Sequence, residues 1–417
     1  MPLCTTDYLE LYMSRKRDKT WIKPRHRVVR KLVGAVLVPY CKWKYGITIE
    51  PFPDQKNRPY LVLLNHQTGF DQFFVGAAFP DPVYYLATED IFSIGWVSSL
   101  IRWLVAPIPI KKQTTDINAV MTCIKVAREG GTIAIAPEGN RTYNGKTVYM
   151  NPSIAALAKK LKLPIALYRI EGGYGVQPRW SDVVRKGKMR AYVSEVIEPE
   201  EYADLTKEEL FRRIEDGLFV DESTPSGPFE SNKKAEYLER AIYVCPYCGL
   251  STLESNGNFI ECKQCGRKIE YRSDKMLAGA GFQFPFRSVA QWYDYQQDFI
   301  NALDVTEYTQ KPLYVDSVNV SEVIPNRKKI PLYSNTQLKL YGDRVEMEEQ
   351  PGTSLVLPFP EISAMSVLGR NKLNIYHSDK IYQVKAGKRF NALKYVNIYF
   401  RHKNISKGDT NGKFLGL

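Results

Sequence analysis

From Tyr60 to about Phe219 the chain alternates short apolar runs with helical stretches, and no other feature limits its fold as tightly. Runs at Tyr60–Leu64, Val83–Ala87, Val105–Ile110, Thr132–Ala136 and Pro164–Ile170 have the length and near-continuous apolarity of buried parallel strands. Between them, Ile117, Val120, Met121 and Ile124 fall on one helical face, and Gly130-Gly131 stop that helix. A later helix opens with Asn151 as cap and Pro152 in its first turn, and carries Ile154, Leu157, Ala158 and Leu161. Val193–Ile197 extends the sheet, and Thr206–Leu218 closes the unit as a helix. The alternation predicts an α/β domain, a mixed sheet flanked by helices.

In open sheets of this kind ligands are handled beyond the carboxyl ends of the strands. Three stretches that carry chemistry fall there. Asn65-His66-Gln67-Thr68-Gly69-Phe70-Asp71 follows the first run. Residues five apart on one helix point in separate directions, so His66 and Asp71 need a break between them, which Thr68-Gly69 allow. Asp71, early in the next helix, can then reach back and hold the imidazole in one tautomer, as a general base requires. After Thr132–Ala136 comes Pro137-Glu138-Gly139-Asn140-Arg141-Thr142. Gly139 permits a tight turn, Arg141 offers a planar fork for phosphate or carboxylate, and Glu138 can orient that Arg or a substrate hydroxyl. Ala106-Pro107-Ile108-Pro109-Ile110 ends in two cations, Lys111 and Lys112.

In this order the stretches resemble the glycerolipid acyltransferase family, of the lysophosphatidic acid acyltransferase type. Its first block, N-H-x-S-x-x-D, matches Asn65, His66 and Asp71, with Thr68 in place of Ser. Its third block, P-E-G-T-R, matches Pro137, Glu138, Gly139 and Arg141, with Asn140 in place of Thr. Its fourth, an apolar run around a proline, matches Leu163-Pro164-Ile165-Ala166-Leu167. Its second, G-x-I-x-I-x-R, is looser: Ala106 stands for Gly and Lys112 for Arg. The resemblance covers roughly residues 25–220. It implies that His66 is the base and Asp71 its partner, that Lys112 and Arg141 hold the acceptor headgroup, and that Glu138 and Gly139 shape that site. It also implies acyl-CoA or acyl-carrier protein as donor and direct transfer with no acyl-enzyme. Members that use lysophosphatidic acid commonly carry a Phe-Lys-x-Gly segment after the third block. Here Tyr149-Met150-Asn151-Pro152 stands near that place, so one phosphate-binding Lys is absent.

The chain has 417 residues and a net charge of +13, of which residues 1–50 hold a large share: eleven Lys/Arg against four Asp/Glu. Such a bias suits anionic lipid headgroups. Arg27–Val38 reads as a helix, basic at its start and apolar after it, followed by Tyr40, Trp43 and Tyr45 interleaved with Lys42 and Lys44. This amphipathic mix suits a headgroup interface and equally suits a helix packed on its own domain. The apolar part is too short to span a bilayer, and Arg102 and Pro107 interrupt the other apolar stretch, Ile91–Ile110. With no signal-peptide pattern visible, the expected location is the cytoplasmic face of a membrane, peripheral or monotopic.

Beyond a polar stretch, Asp221–Lys234, come Cys245-Pro246-Tyr247-Cys248-Gly249 and Cys262-Lys263-Gln264-Cys265-Gly266. Two C-x-x-C-G knuckles separated by thirteen residues read as a zinc ribbon, with Cys245, Cys248, Cys262 and Cys265 as ligands and the zinc structural. The ribbon's nearby basic residues also allow a nucleic-acid contact, though no nucleic-acid partner is expected. From Leu313 the period changes to two, in runs at Gln337–Tyr341, Arg344–Glu348, Ser354–Leu357, Leu373–His377 and Ile381–Lys385 with Gly342-Asp343 as a hairpin turn. A helix at Ala392–Phe400 follows, and the set resembles, in shape, a small domain of the pleckstrin-homology type.

The expected organisation is a basic membrane-associating N-terminus (1–50), an acyltransferase domain (51–220), a linker (221–240), the zinc ribbon (241–272), a connecting segment (273–304), a small mostly-β domain (305–404) and a tail (405–417). The expected activity is acyl transfer to the hydroxyl of a lysophospholipid at a membrane surface, in phospholipid synthesis or remodelling. An amine or glycolipid acceptor, or an inactive lipid- or partner-binding protein, are the alternatives.

Overall fold

In the computed structural model of this chain the described residues are 20–52, 58–88, 91–93, 95–110, 116–147, 149–324, 329–350, 353–409 and 414–416. Strands β1 (Ile47–Ile49), β2 (Leu61–Leu64), β3 (Val83–Thr88), β4 (Ile108–Ile110), β5 (Thr132–Ile135), β6 (Ile165–Glu171) and β7 (Met189–Ile197) form one sheet in the order β1-β7-β6-β2-β5-β3-β4. Every neighbouring pair is parallel except β6 with β7, so the sheet is mixed. Its helices are α1 (Pro24–Tyr45), α2 (Asp71–Ala78), α3 (Trp96–Val105), α4 (Ile117–Arg128), α5 (Ser153–Leu161) and α6 (Lys207–Leu218).

β2 lies at the centre and is buried along its whole length. Its side chains alternate between two cores, as the pleat requires. Leu61 and Leu63 pack with Ile133, Ile135, Ile165 and Leu167 beneath α4, α5 and α6. Val62 and Leu64 pack with Phe74 and Val75 of α2 and with Cys41 and Tyr45 of α1. Covered on both faces, the strand cannot slip in register without burying the wrong side chains.

Several sequence expectations need correction. α4 does not bury the face drawn from its largest apolar residues. Ala119, Cys123 and Val126 go inward, while Ile117 is 71% exposed and Met121 stands half exposed. Small side chains let the helix lie close to the sheet, and burial follows from that approach and not from side-chain size. The expected strand Val105–Ile110 is shorter, because Val105 ends α3 and Ala106, in a left-handed conformation, donates its N–H to the Arg102 carbonyl at 3.1 Å. α5 begins at Ser153, one residue after Pro152, and Asn151 Oδ1 accepts from the Ser153 N–H at 3.0 Å. α6 opens on Thr206 with a full capping box: Glu209 N–H donates to Thr206 Oγ1 at 3.1 Å, and Thr206 N–H to Glu209 Oε2 at 2.7 Å.

The stretch expected as a linker is packed. Phe229 is buried in the core shared with Val176, and Lys186 and Glu230 bridge as an isolated antiparallel pair. Beyond it, β8 (Val244–Cys245) pairs with β9 (Gly249–Leu250), and β10 (Leu253–Asn256), β11 (Phe259–Cys262), β12 (Lys268–Tyr271) and β13 (Leu277–Gly279) form a small antiparallel sheet. The aromatic connecting segment contains a helix, α7 (Val289–Ala302), capped by Ser288, with Trp292 and Tyr293 buried.

The last sheet is antiparallel and curls into a half-barrel. It holds β14 (Tyr314–Glu322), β15 (Ile330–Leu340), β16 (Arg344–Gln350), β17 (Thr353–Pro358), β18 (Ile362–Leu368), β19 (Lys372–His377) and β20 (Lys380–Ala386), in the order β17-β16-β15-β14-β20-β19-β18. α8 (Leu393–Ser406) packs against it. β18 gave no period-two signal because Ala364, Met365, Ser366 and Val367 are all buried in succession. The polar tail is held as well: Leu415 is buried, and its carbonyl accepts from Asn397 Nδ2 at 2.8 Å. A single hydrophobic core joins Tyr143 and Trp180 of the first unit to the Cys-rich strands, α7, the half-barrel and α8.

Candidate active site

β2 sits between its parallel neighbours β5 and β6, so the loops leaving β2 and β5 emerge side by side on one edge. Asn65 ties the β2 loop down: its Nδ2 donates to the Ile170 carbonyl at 2.8 Å and its Oδ1 accepts from the Ile170 N–H at 2.7 Å. The side chain thus continues the β2–β6 ladder past the end of the strand and fixes where His66 starts.

Asp71 is the first residue of α2, and its side chain turns back over the loop. Its Oδ2 lies 2.7 Å from His66 Nδ1 and 2.8 Å from the Gln67 N–H, while Oδ1 accepts from the Thr68 N–H at 2.8 Å and the Thr68 hydroxyl at 2.7 Å. A carboxylate only accepts, so His66 carries its proton on Nδ1 and Nε2 keeps its lone pair. Asp71 is buried at 2% side-chain exposure and His66 is open at 28%. Among the described residues nothing hydrogen-bonds His66 Nε2. The nitrogen that Asp71 does not hold is therefore the basic one.

Glu138 leaves β5 and accepts the His66 N–H at 2.9 Å on Oε1, so its partner is the His66 backbone and not Arg141. Burial pushes the Glu138 carboxyl up to about 8; the His66 N–H opposes that rise and the Asp71 charge adds to it. Gly139 makes the turn with φ of 66°, its N–H donating to the Ala136 carbonyl at 3.0 Å, and delivers Arg141 beside the loop of β2. Burial pushes the Arg141 guanidinium down to about 10, helped by the charges of Arg179 and Arg370 and opposed by Asp71. Arg141 Nη1 is buried with no hydrogen-bond partner among the described residues. Lys112 lies outside the described residues.

Arg179 was invisible in the sequence, where no spacing marks Gln177-Pro178-Arg179-Trp180 as part of any site. Its Nη1 donates to the Arg141 carbonyl at 3.0 Å, and its guanidinium lies 4.2 Å from the Tyr143 ring centroid.

Away from this edge, the sulfur atoms of Cys245, Cys248, Cys262 and Cys265 lie within 4.8 Å of one another. Cys245 and Cys265 are 3.9 Å apart and Cys262 and Cys248 are 4.0 Å apart. Four sulfurs at about 2.3 Å from a tetrahedral ion stand about 3.8 Å from each other, so the spacing fits a metal ion. Both knuckle glycines take left-handed conformations, Gly249 at φ 73° and Gly266 at φ 70°, as turning the chain around a thiolate requires.

Residues 47–170 match the family model described as Acyltransferase. The chain is 22% identical over 160 residues to the 1-acyl-sn-glycerol-3-phosphate acyltransferase of Bacillus subtilis, covering 38% of this chain and 77% of that protein. It is 28% identical over 138 residues to the alpha form of that enzyme from Mus musculus, covering 31% of this chain and 47% of the relative. To the chloroplastic BAT2 form from Brassica napus it is 21% identical over 198 residues, covering 46% and 56%. It spans about half the length of these last two relatives. The solved structure of the Thermotoga maritima PlsC, at 20% identity, overlaps with a TM-score of 0.40 and covers 51% of this chain and 85% of that one.

Proposed function

We propose that this chain, an acyltransferase by the domain it carries at residues 47–170, moves a fatty acyl group from acyl-CoA or acyl-carrier protein to the hydroxyl of a lysophospholipid with a phosphate-bearing headgroup. The observation that carries the reading is the His66–Asp71 pair, which leaves Nε2 as a base on the edge where Arg141 has a donor with no partner among the described residues.

A lipid hydroxyl attacks a thioester poorly until a base removes its proton. His66 Nε2 takes that proton as the hydroxyl oxygen bonds to the acyl carbon, and the imidazolium that forms is steadied by Asp71 through Nδ1. The carbon–sulfur bond then breaks, and the proton on Nε2 goes to the departing thiolate. No acyl-enzyme is needed. Arg141 holds the acceptor's phosphate, with Gly139 giving the turn its shape; Glu138 sets His66 by its backbone. Lys112 is proposed as a further headgroup cation from its sequence position.

A membrane surface is the proposed workplace. Val28, Leu32, Val36 and Trp43 of α1 fall on one stripe and are all exposed, Trp43 at 81%. On the neighbouring α3, Trp96 is 76% exposed, with Leu100 and Trp103 also open. Arg25 Nε donates to the Trp103 carbonyl at 2.9 Å and ties the two helices together. Apolar side chains rimmed by cations suit insertion among anionic headgroups. No helix among the described residues is long and apolar enough to cross a membrane.

The four-cysteine cluster is proposed to hold zinc, which when bound supplies a structural cross-link and leaves no open position for catalysis. The half-barrel with its closing helix is proposed to be of the pleckstrin-homology type.

The deciding experiment is acyl transfer from labelled acyl-CoA, and from acyl-carrier protein, to a panel of lysolipids, with His66→Ala alongside. Transfer to a phosphate-bearing acceptor that falls by about 100-fold or more in the variant supports the reading. Near-normal turnover in a folded His66→Ala protein would overturn the assigned base.

A further inference from the structure

Four guanidinium groups gather behind the turn that carries Arg141, and only one of them was visible in any motif. Arg179, itself buried, donates through Nε to the Gly369 carbonyl at 3.1 Å and through Nη2 to the Val367 carbonyl at 3.1 Å. Its Nη1 donates to the Arg141 carbonyl at 3.0 Å. One side chain therefore bolts the β18–β19 turn of the half-barrel to the β5 turn of the acyltransferase domain. Gly369 takes φ of 63° there and brings the next residue, Arg370, round to the same edge.

Arg370 Nη1 lies 3.2 Å from Asp182 Oδ1. That carboxylate is already held by Arg240, at 2.9 Å on Oδ1 and 3.0 Å on Oδ2. Asp71, whose charge also reaches Arg141, is occupied by His66, Gln67 and Thr68. The cations outnumber the carboxylates that pair with them. Two donors are left over: Arg141 Nη1 and Arg370 Nε are each buried with no hydrogen-bond partner among the described residues. Leaving a buried donor unpaired costs more than an ordinary hydrogen bond returns, so an anion within reach of both donors stabilises the arrangement. Burial first, and then the charges of Arg179 and Arg370, depress Arg141, and an anion beside it offsets both.

We propose that Arg370, supplied by the half-barrel, is a specificity-determining residue that grips the acceptor's phosphate jointly with Arg141, so that the C-terminal sheet completes the acyltransferase site. Guanidinium forks from two separate chain segments suit a tetrahedral phosphate monoester, which offers oxygens to both, better than a planar carboxylate. The inference rests on the proposed reading of the site for its choice of acceptor, while the anion site itself stands on the arginines alone. A donor such as acyl-CoA carries phosphates too, and the test separates the two sources.

The full chain is compared with Arg370→Gln and Arg370→Lys in two measurements. The first is the affinity for glycerol 3-phosphate, a soluble headgroup probe, by calorimetry. The second is steady-state transfer with lysophosphatidic acid and acyl-CoA varied in turn. Arg370→Gln is expected to weaken glycerol 3-phosphate binding and raise the KM for lysophosphatidic acid by about tenfold, with partial recovery in Arg370→Lys and the donor's KM within about twofold of normal. Unfolding midpoints identify a misfolded variant, in which case Arg370→Lys decides. Unchanged binding in both variants overturns the proposal, as does a wild-type chain that ignores glycerol 3-phosphate. A shift confined to the donor's KM overturns the acceptor assignment. Arg370-dependent binding in a chain that acylates no lysophospholipid leaves the anion site standing and removes the proposed function instead.

Discussion

Thr68 holds one carboxylate oxygen of Asp71 twice, with its backbone N–H at 2.8 Å and its hydroxyl at 2.7 Å. Among the described residues the hydroxyl is the one contact to Asp71 that a side chain supplies besides the imidazole. Serine can make the same bond and valine, of nearly the same shape, cannot. Thr68→Ser is expected to keep turnover within about twofold, and Thr68→Val to lower it about tenfold, the worth of one hydrogen bond to a charged group. Acyl-transfer rates for the pair check this; equal rates would mean the hydroxyl does nothing for the carboxylate.

Asp71→Asn replaces an acceptor by a group that can turn its amide toward Nδ1 and favour the other tautomer. The basic lone pair then faces inward, away from substrate. Turnover is expected to drop by about 10²–10⁴-fold with little change in acceptor KM. A drop expressed mainly in KM would show that Asp71 shapes the binding surface and not the base.

Glu138 gives a pH signature. Its carboxyl is raised from 4.5 to about 8 in the fold, chiefly by burial. Below pH 4.5 both folded and unfolded chains hold the proton. Between that value and pH 8 the folded chain keeps a proton the unfolded chain has released, so this group's contribution to stability falls as pH rises through the window. Glu138→Gln removes the titration and retains an acceptor for the His66 N–H. Its unfolding midpoint should gain on the wild type steadily from pH 5 to pH 8, a range set by those two values. A constant gap across that range contradicts the raised pKa.

The cysteine cluster predicts about one zinc per chain in the purified protein. Cys262→Ser, at the most deeply buried of the four cysteines, should release it and lower the unfolding midpoint by several degrees or more. Metal analysis together with thermal melts decides. A wild-type chain that is metal-free and melts unchanged in strong chelator rules out the structural role.

Trp43→Glu with Trp103→Glu places two charges on the exposed stripe of α1 and α3 without entering either core. Flotation with vesicles rich in anionic lipid should fall by roughly tenfold or more, given the cost of putting carboxylates among acyl chains. Undiminished flotation would remove this face from the membrane.

Much of the site's framework was readable because it is local. Asn65 to Asp71 is one loop, and the turn from Pro137 to Arg141 is another, so the chemistry of each is written in consecutive letters. Strand alternation placed both on one edge of the sheet; that β2 and β5 are neighbours there is a matter of strand order, which alternation does not encode. The face of α4 was misread because bulky Ile117 and Met121 outweigh Ala119 in any hydrophobic pattern, whereas close packing on the sheet prefers the small residue. Arg179 and Arg370 are 191 positions apart, and what joins them is a hydrogen bond to the carbonyl of Gly369, a group every residue possesses. No composition or spacing encodes such a bond. Long-range polar contacts made through the backbone are the class of interaction that sequence patterns miss.

The core that begins at Tyr143, two residues after Arg141, runs without interruption to Leu415. Ending the chain after Leu218 would strip Trp180 and Tyr143 of their neighbours and leave a greasy scar directly behind the turn that carries Arg141. The appended parts are therefore not passengers that proteolysis or engineering can discard. A ligand that pried the half-barrel loose, anywhere along that shared interior, would disturb the packing behind Arg141 without touching the loop of His66.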